Sequence, residues 1–199
     1  MTYQVIGTTR TRAFRVLWLL EEMGLPYDHI AAGPRSAQAL AVNPSGKVPV
    51  LVVDGVALTD STAILTYLCD RHGQFTTPAG TVDRARQDGM TGLILDEIEA
   101  LLWAAARHSF ILPEAMRLPA LNPVLQWEYG QNLSRLAAGW RGPFVMGDQM
   151  TLPDIVLTHC LVWAELAGFP GPDQVLGAYL ARMRERPAWA RVAKGRDSR

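Results

Sequence analysis

The strongest constraint on this chain is a proline directly before a run of β-branched residues, in the stretch NPSGKVPVLVV (residues 43–53). The β-branched run predicts a buried strand. Proline has no N–H to donate, so it fits a sheet at the start of a strand, at an edge or in a special turn. The Val48-Pro49 bond is therefore a candidate cis peptide. A cis bond would turn the Val48 backbone outward, free to pair with another extended chain.

A helix start follows this strand at a short distance. Asp54-Gly55 predicts a tight turn into a second strand, Val56-Ala57-Leu58. Thr59-Asp60-Ser61 then opens an apolar helix over Thr62–Cys69, and its first amide N–H groups are expected to be free to hold an anion. An extended backbone edge beside an anion site suits a short acidic peptide as ligand.

The first third of the chain alternates strands and helices. The pattern predicts a strand at Thr2–Ile6, a helix at Ala13–Met23 stopped by Gly24, a strand at Pro26–Ala31, and a loop with one helical turn at Gly33–Ala41. With the hairpin and helix described above, the order is β-α-β-α-β-β-α. Such an order requires a parallel crossover in its first half and a hairpin at its end.

The remainder of the chain predicts only helices. The turn-rich stretch GQFTTPAGT (residues 73–81) predicts a domain boundary. We therefore expect a first domain over residues 1–73, a linker over 74–81 and an all-helical domain over 82–199. The predicted helices are Val82–Phe110, Asn122–Trp140, Thr151–Ala167, Val175–Arg184 and Ala188–Val192.

The start of the third of these helices carries a folding signal. Thr151-Leu152-Pro153-Asp154 predicts a capping box, in which each of the two outer side chains accepts a hydrogen bond from the other residue's backbone N–H. Its expected role is in folding and not in chemistry.

Composition excludes several classes of function. Hydrophobic residues make up 49% of the 199 residues, and 19 basic residues balance 19 acidic ones. Without a basic stripe we expect no nucleic-acid partner and no anionic membrane partner, and no apolar run approaches the roughly 20 residues of a membrane span. The beginning of the sequence lacks the apolar core of a signal peptide. Two cysteines without a CxxC pattern and four scattered histidines predict a cytoplasmic chain with no disulfide framework and no metal site.

The Gly-Lys-Val-Pro stretch and the Asp60-Ser61 pair together resemble the glutathione site of the cytosolic glutathione S-transferases of bacterial type. The resemblance implies a thioredoxin-like domain followed by a helical bundle domain, and a homodimer. It implies that Val48, before the cis Pro49, pairs with the cysteinyl backbone of glutathione, and that Asp60 and Ser61 hold its γ-glutamyl end. Lys47 is the better placed residue for the glycyl carboxylate.

Catalysis in this family means lowering the pKa of the glutathione thiol, which titrates near ~8.5 when unperturbed. The resemblance implies a hydroxyl donor in the loop after the first strand, four residues before Arg15, which is Thr11. Thr8, Thr9 and a backbone amide at the first helix are alternative donors. Thr11 is equally well explained as the residue that caps this helix. The loop contains no Tyr or Cys, so neither a Tyr-type mechanism nor a cysteine-dependent thiol transfer is expected.

Other side chains extend the expected site. Arg35 is a second candidate for the glycyl carboxylate. Arg10, Arg12 and Arg15 form a cluster that would favour a thiolate or an anionic substrate, with Arg10 equally well explained as a surface residue.

The second substrate is expected to contact the long helix after the linker. Trp103, Arg107 and Phe110 recur there at helical spacing and predict an aromatic wall with one cation; a core stripe with one arginine at its rim is the alternative. The expected function is the conjugation of glutathione to an apolar electrophile. Glutathione-dependent reduction of disulfides or peroxides is one alternative, and a non-catalytic glutathione-binding module is another.

Overall fold

The computed structural model, which describes residues 2–195, contains a mixed sheet of four short strands. The strands are β1 (Tyr3–Ile6), β2 (Asp28–Ile30), β3 (Val50–Val53) and β4 (Val56–Thr59). Their order is β2-β1-β3-β4; β1 pairs with β2 in parallel, whereas the other two pairs are antiparallel. The strand predicted over Pro26–Ala31 is shorter than expected, since only its middle three residues pair with β1.

Three helices connect these strands or follow them: α1 (Ala13–Met23), α2 (Ala37–Val42) and α3 (Ser61–His72). Gly24 ends α1 with a left-handed φ of 65°, as predicted from its position. The helix α2 is longer than the single turn expected there, and the Ser36 side chain caps it by accepting from the Ala39 amide. The order and pairing of these elements confirm the predicted thioredoxin-like arrangement.

The helix α1 is the most deeply buried helix that contacts this sheet. All eight residues from position 13 to position 20 are buried, Arg15 among them. So apolar a helix needs apolar neighbours on nearly every side, and it contacts β1 and α3 on the sheet side.

The second half of the chain is helical, as predicted. Its helices are α4 (Val82–Leu93), α5 (Ala100–Ala106), α6 (Asn122–Ala138), α7 (Leu152–Leu166), α8 (Gln174–Arg184) and α9 (Pro187–Ala193). The predicted continuous helix over Val82–Phe110 is correct in extent but not in type. Two π-helical segments, Ile94–Glu99 and Arg107–Ile111, interrupt the α-helical geometry.

The capping box at the start of α7 is confirmed. The Thr151 amide donates to Asp154 Oδ2 at 2.8 Å, and the Asp154 carboxylate also accepts from the Val145 amide and the Tyr179 hydroxyl. Asp154 is fully buried, so these donors stand in for the water that the carboxylate has lost. The same network connects α7 to α8 and to the segment before α7.

The chain forms two compact units. One, the sheet unit, comprises residues 2–79 together with residues 183–195; the other, the helical unit, comprises residues 80–182. Within the sheet unit, α9 packs on α1. The Trp189 ring lies 4.5 Å from Phe14 and 4.8 Å from Trp18 between centroids, and Arg186 makes a two-pronged ion pair with Glu22 at 2.6 and 2.7 Å.

Within residues 2–195, no helix is both long enough and apolar enough to span a membrane.

Candidate functional site

The predicted cis bond between Val48 and Pro49 is confirmed. The Val48 side chain packs against the cluster of Ile6, Ala32 and Val50, which holds this residue at the start of β3. No described residue forms a hydrogen bond with the Val48 backbone. The amide and carbonyl groups of Val48 are therefore available to an extended ligand chain.

The loop before Val48 is held by side-chain hydrogen bonds. Asn43 Nδ2 donates to the Lys47 carbonyl at 2.9 Å, and Asn43 Oδ1 accepts from both the amide and the hydroxyl of Ser45. The Arg35 amide donates to the Gly46 carbonyl at 2.8 Å, so the two predicted cations, Lys47 and Arg35, belong to adjoining parts of one surface. Both are exposed, which suits contact with a ligand carboxylate.

The start of α3 differs from its prediction in one respect. Asp60 Oδ1 accepts hydrogen bonds from the amides of Thr62 and Ala63, at 2.9 and 3.0 Å. These two amides were expected to be free for an anion, and they are not, because aspartate is itself a strong N-terminal cap. The Asp60 side chain forms no hydrogen bond with the amide or the hydroxyl of Ser61. These two groups of Ser61 are therefore the remaining candidates for contact with an anion at this helix start.

Arg15 reaches Ser61 from the neighbouring helix. Its Nη1 donates to Ser61 Oγ at 3.3 Å, and both residues are buried, with Arg15 0% exposed. Arg15 is buried, whereas Arg10 is exposed and Arg12 half-buried, so the three arginines differ in exposure and their clustering stays a prediction. An apolar α1 sequence with one arginine gives no sign that the cation points inward.

The hydroxyl of the predicted donor, Thr11, is already hydrogen-bonded next to the start of α1, one residue before the N-cap Arg12. Its Oγ1 donates to the Thr8 carbonyl at 2.8 Å and accepts from the Ala13 amide at 3.2 Å. A hydroxyl carries one hydrogen, so Thr11 can donate to a thiolate only by releasing the Thr8 carbonyl. The alternative donors differ in exposure: Thr9 is buried and Thr8 is half-buried.

Gly7 brings this loop close to Val48. A Cβ at Gly7 would lie 2.5 Å from the Ala13 Cβ and 3.3 Å from the Val48 Cβ, and the residue has a φ of 148°. Only glycine fits such a close approach at this backbone geometry. The sequence reasoning missed Gly7, although its place between a strand and a polar loop was a usable signal.

The predicted residues for the second substrate all lie in the helical unit. Trp103 is half-buried on α5, whereas Arg107 and Phe110 are exposed on the following π-helical segment. The Leu112 amide donates to the Arg107 carbonyl five residues before it, at 3.0 Å. A π turn is wider than an α turn, so a single face cannot be assigned from spacing alone and the aromatic wall stays a prediction.

Among the side chains of residues 2–195, no group of three or more His, Cys, Asp or Glu is placed to hold a metal ion.

Known proteins resemble this chain over most of its length. Residues 11–71 match the family model "Glutathione S-transferase, N-terminal domain". A glutathione S-transferase of Pseudomonas putida is 28% identical over 193 residues, which cover 90% of this chain and 85% of that protein. A maleylacetoacetate isomerase of Rhizobium meliloti is 46% identical over 138 residues, 67% of this chain and 65% of the isomerase.

A solved structure agrees with these sequence similarities. The theta class glutathione S-transferase of Xanthomonas axonopodis pv. citri, with glutathione bound, is 27% identical to this chain. The two superpose with a TM-score of 0.78, and the match covers 96% of each chain.

Proposed function

The chain belongs to the glutathione S-transferase family, and from this we propose that it binds glutathione and joins the glutathione thiolate to an apolar electrophile. The observation that carries the proposal is the free backbone of Val48 at the start of β3, in the same unit as the hydroxyl of Ser61 at the start of α3. An extended backbone edge and a helix start are the two features that a γ-glutamyl tripeptide requires.

Each part of glutathione has a proposed partner in the sheet unit. The cysteinyl backbone pairs with Val48, and the γ-glutamyl carboxylate accepts from Ser61. Asp60 uses Oδ1 to cap α3, so its other carboxylate oxygen, Oδ2, is proposed to accept from the ligand ammonium. Lys47 or Arg35 pairs with the glycyl carboxylate.

Thr11 is the proposed donor to the thiolate. In the structure its hydroxyl donates to a neutral carbonyl, a bond that contributes a net ~0.5–1.5 kcal/mol. A bond to a thiolate is charge-assisted and contributes roughly 1.5–3 kcal/mol. The Thr11 hydroxyl therefore gains free energy when it leaves the Thr8 carbonyl and donates to the thiolate. The gain stabilises the thiolate and so lowers the thiol pKa.

We expect Thr11→Val to raise the kinetic pKa of conjugation. The difference between the two bonds is about 1 kcal/mol, which corresponds to about one pKa unit. A bound thiol that titrates near ~7.5 and not near ~8.5 has a thiolate fraction at pH 7 of about 24% and not about 3%. Since a more acidic thiol is also a weaker nucleophile, the expected loss in Thr11→Val is about three-fold at pH 7. Much of that loss should be recovered near pH 9, and a pH–rate profile measures both.

Three variants serve as controls for this prediction. Thr11→Ser keeps the hydroxyl and should retain the wild-type profile, and Thr8→Val and Thr9→Val should not shift it. An unchanged profile in Thr11→Val would move the donor to another group, such as Thr8, Thr9 or an amide at the start of α1. A wild-type protein that binds glutathione but converts none of a panel of electrophiles would support a binding module.

The similarity to the Rhizobium isomerase favours a second candidate reaction. A thiolate that adds to a conjugated cis double bond leaves a single bond, which can rotate before the thiolate is expelled. The products are the trans isomer and unchanged glutathione. With maleylacetoacetate as substrate, turnover at glutathione concentrations far below that of the substrate would favour isomerisation, whereas consumption of one glutathione per product would favour conjugation.

The electrophile site, the assembly and the location are proposed on the same family basis. Trp103, Arg107 and Phe110 are the proposed contacts for the second substrate. We propose a homodimer in the cytoplasm, and the two buried cysteines, Cys69 and Cys160, which form no disulfide, suit a reducing compartment. Light scattering on the purified protein tests the dimer.

A further inference from the structure

We propose that Arg15 is a positioning residue, which fixes the Ser61 hydroxyl as a donor toward a ligand carboxylate and attracts that carboxylate with its own buried charge. The proposal rests on the proposed binding of glutathione. It is carried by the contact between Arg15 Nη1 and Ser61 Oγ, 3.3 Å apart and buried between α1 and α3.

The direction of the Ser61 hydroxyl follows from the chemistry of its partner. A guanidinium has only donors, whereas a hydroxyl has one hydrogen and two lone pairs. The contact with Arg15 therefore occupies a lone pair of Ser61 and leaves the Ser61 hydrogen to point to a third group. An acceptor that reaches Ser61 meets a donor already turned toward it, so less rotational freedom is lost on binding.

The charge of Arg15 acts in the same sense. An arginine stays protonated in a protein, and one that is 0% exposed is poorly screened by salt. The N-terminus of α3 adds a partial positive charge at the same place.

These two effects predict a preference for a charged carboxylate over a neutral group. The test compares two ligands by calorimetry: glutathione, and its analogue in which the γ-glutamyl α-carboxylate is an amide. The wild-type protein should bind glutathione at least about ten-fold more tightly than the amide, as expected for the loss of a charged hydrogen bond.

Arg15→Met should remove most of this preference by weakening glutathione binding while leaving the affinity for the amide within about two-fold. Arg15→Lys keeps the charge but loses the fork geometry, and should retain part of the preference. Arg71→Met removes an exposed cation from the last turn of α3 and is the matched control, which should keep the wild-type preference.

The two residues should also act as one unit. Ser61→Ala alone should reduce the preference, and the double variant with Arg15→Met should lose little more than the larger single loss, because the two changes remove the same interaction. Fully additive losses would show that Arg15 does not act through Ser61.

The remaining outcomes separate this proposal from the proposed function. If the wild-type protein binds neither ligand, glutathione binding itself is wrong. If the wild-type protein prefers glutathione and Arg15→Met weakens both ligands equally, or if both Arg15 variants fail to fold, the role of Arg15 is purely structural and the positioning role is overturned.

Discussion

At the scale of single residues, the absence of a side chain at Gly7 matters as much as the side chains that are present. Its hydrogen faces Ala13, and a methyl group there would lie 2.5 Å from the Ala13 Cβ. The loop that carries the threonines and Val48 therefore approach each other closely only because position 7 is glycine.

Gly7→Ala should destabilise the protein and weaken glutathione binding. The φ of 148° and the clash with Ala13 each cost on the order of 1–3 kcal/mol. At roughly 2–4 °C of melting temperature for each kcal/mol, the expected drop is several degrees in a thermal unfolding experiment. Glutathione affinity should fall as well, because the displaced loop pushes on Val48.

Gly55→Ala is the matched control for this change. Gly55 also has a positive φ, 88°, but no atom lies within 4 Å of the place where its Cβ would be. Equal losses of stability in the two variants would show that the approach of the loop is not tight.

Single residues of the site were predictable where the signal is local. The cis Val48-Pro49 bond and the start of a helix at Ser61 follow from neighbouring residues in the sequence. The burial of Arg15 and the capping of α3 by Asp60 were not predicted. The burial of Arg15 depends on how α1 packs on α3. The capping of α3 depends on which acceptor takes the Thr62 and Ala63 amides, a ligand or the Asp60 side chain.

At the scale of elements, the start of α7 contains a buried carboxylate, Asp154, whose pKa differs from its usual value. Burial raises the pKa of Asp154 to about 6, although hydrogen bonds from the Thr151 and Val145 amides and from the Tyr179 hydroxyl lower it in part. An unfolded aspartate titrates near ~3.9. The folded protein therefore holds this proton more tightly than the unfolded chain does.

The stability that Asp154 contributes should consequently be complete below about pH 4 and be lost as the pH rises through 6. Two pKa units correspond to on the order of 3 kcal/mol. Asp154→Asn cannot ionise, so the free energy of unfolding of the wild-type protein should fall relative to that of the variant by about this amount between pH 4 and pH 7. Urea unfolding at several pH values measures the difference. The opposite trend would mean that the hydrogen bonds outweigh burial.

Elements were predictable in extent but not in detail. The helical pattern from Val82 onward is correct over the whole run, yet the two π-helical segments could not be read from it, since apolar spacing barely distinguishes an α turn from a wider one. The helix α9 was also predicted, but not its packing on α1, which depends on contacts between residues more than 160 positions apart.

At the scale of the whole molecule, the chain combines a thioredoxin-like sheet unit with a helical unit, as the resemblance implied. Family membership and fold follow from motifs and from the order of elements. The second substrate does not, because the surroundings of its proposed contacts, such as Arg107, cannot be determined from local patterns.

The most direct test of the central claim is the affinity for glutathione, measured by calorimetry on the wild-type protein, on Ser61→Ala and on Ser134→Ala. Ser134 is an exposed serine of α6 whose hydroxyl donates to the Gly130 carbonyl of its own helix, so it is the matched control. We predict binding by the wild-type protein and by Ser134→Ala, and an affinity about 10- to 100-fold weaker in Ser61→Ala, as expected for the loss of a charged hydrogen bond. No binding by the wild-type protein at millimolar glutathione, or equal affinities in all three proteins, would contradict the proposed site.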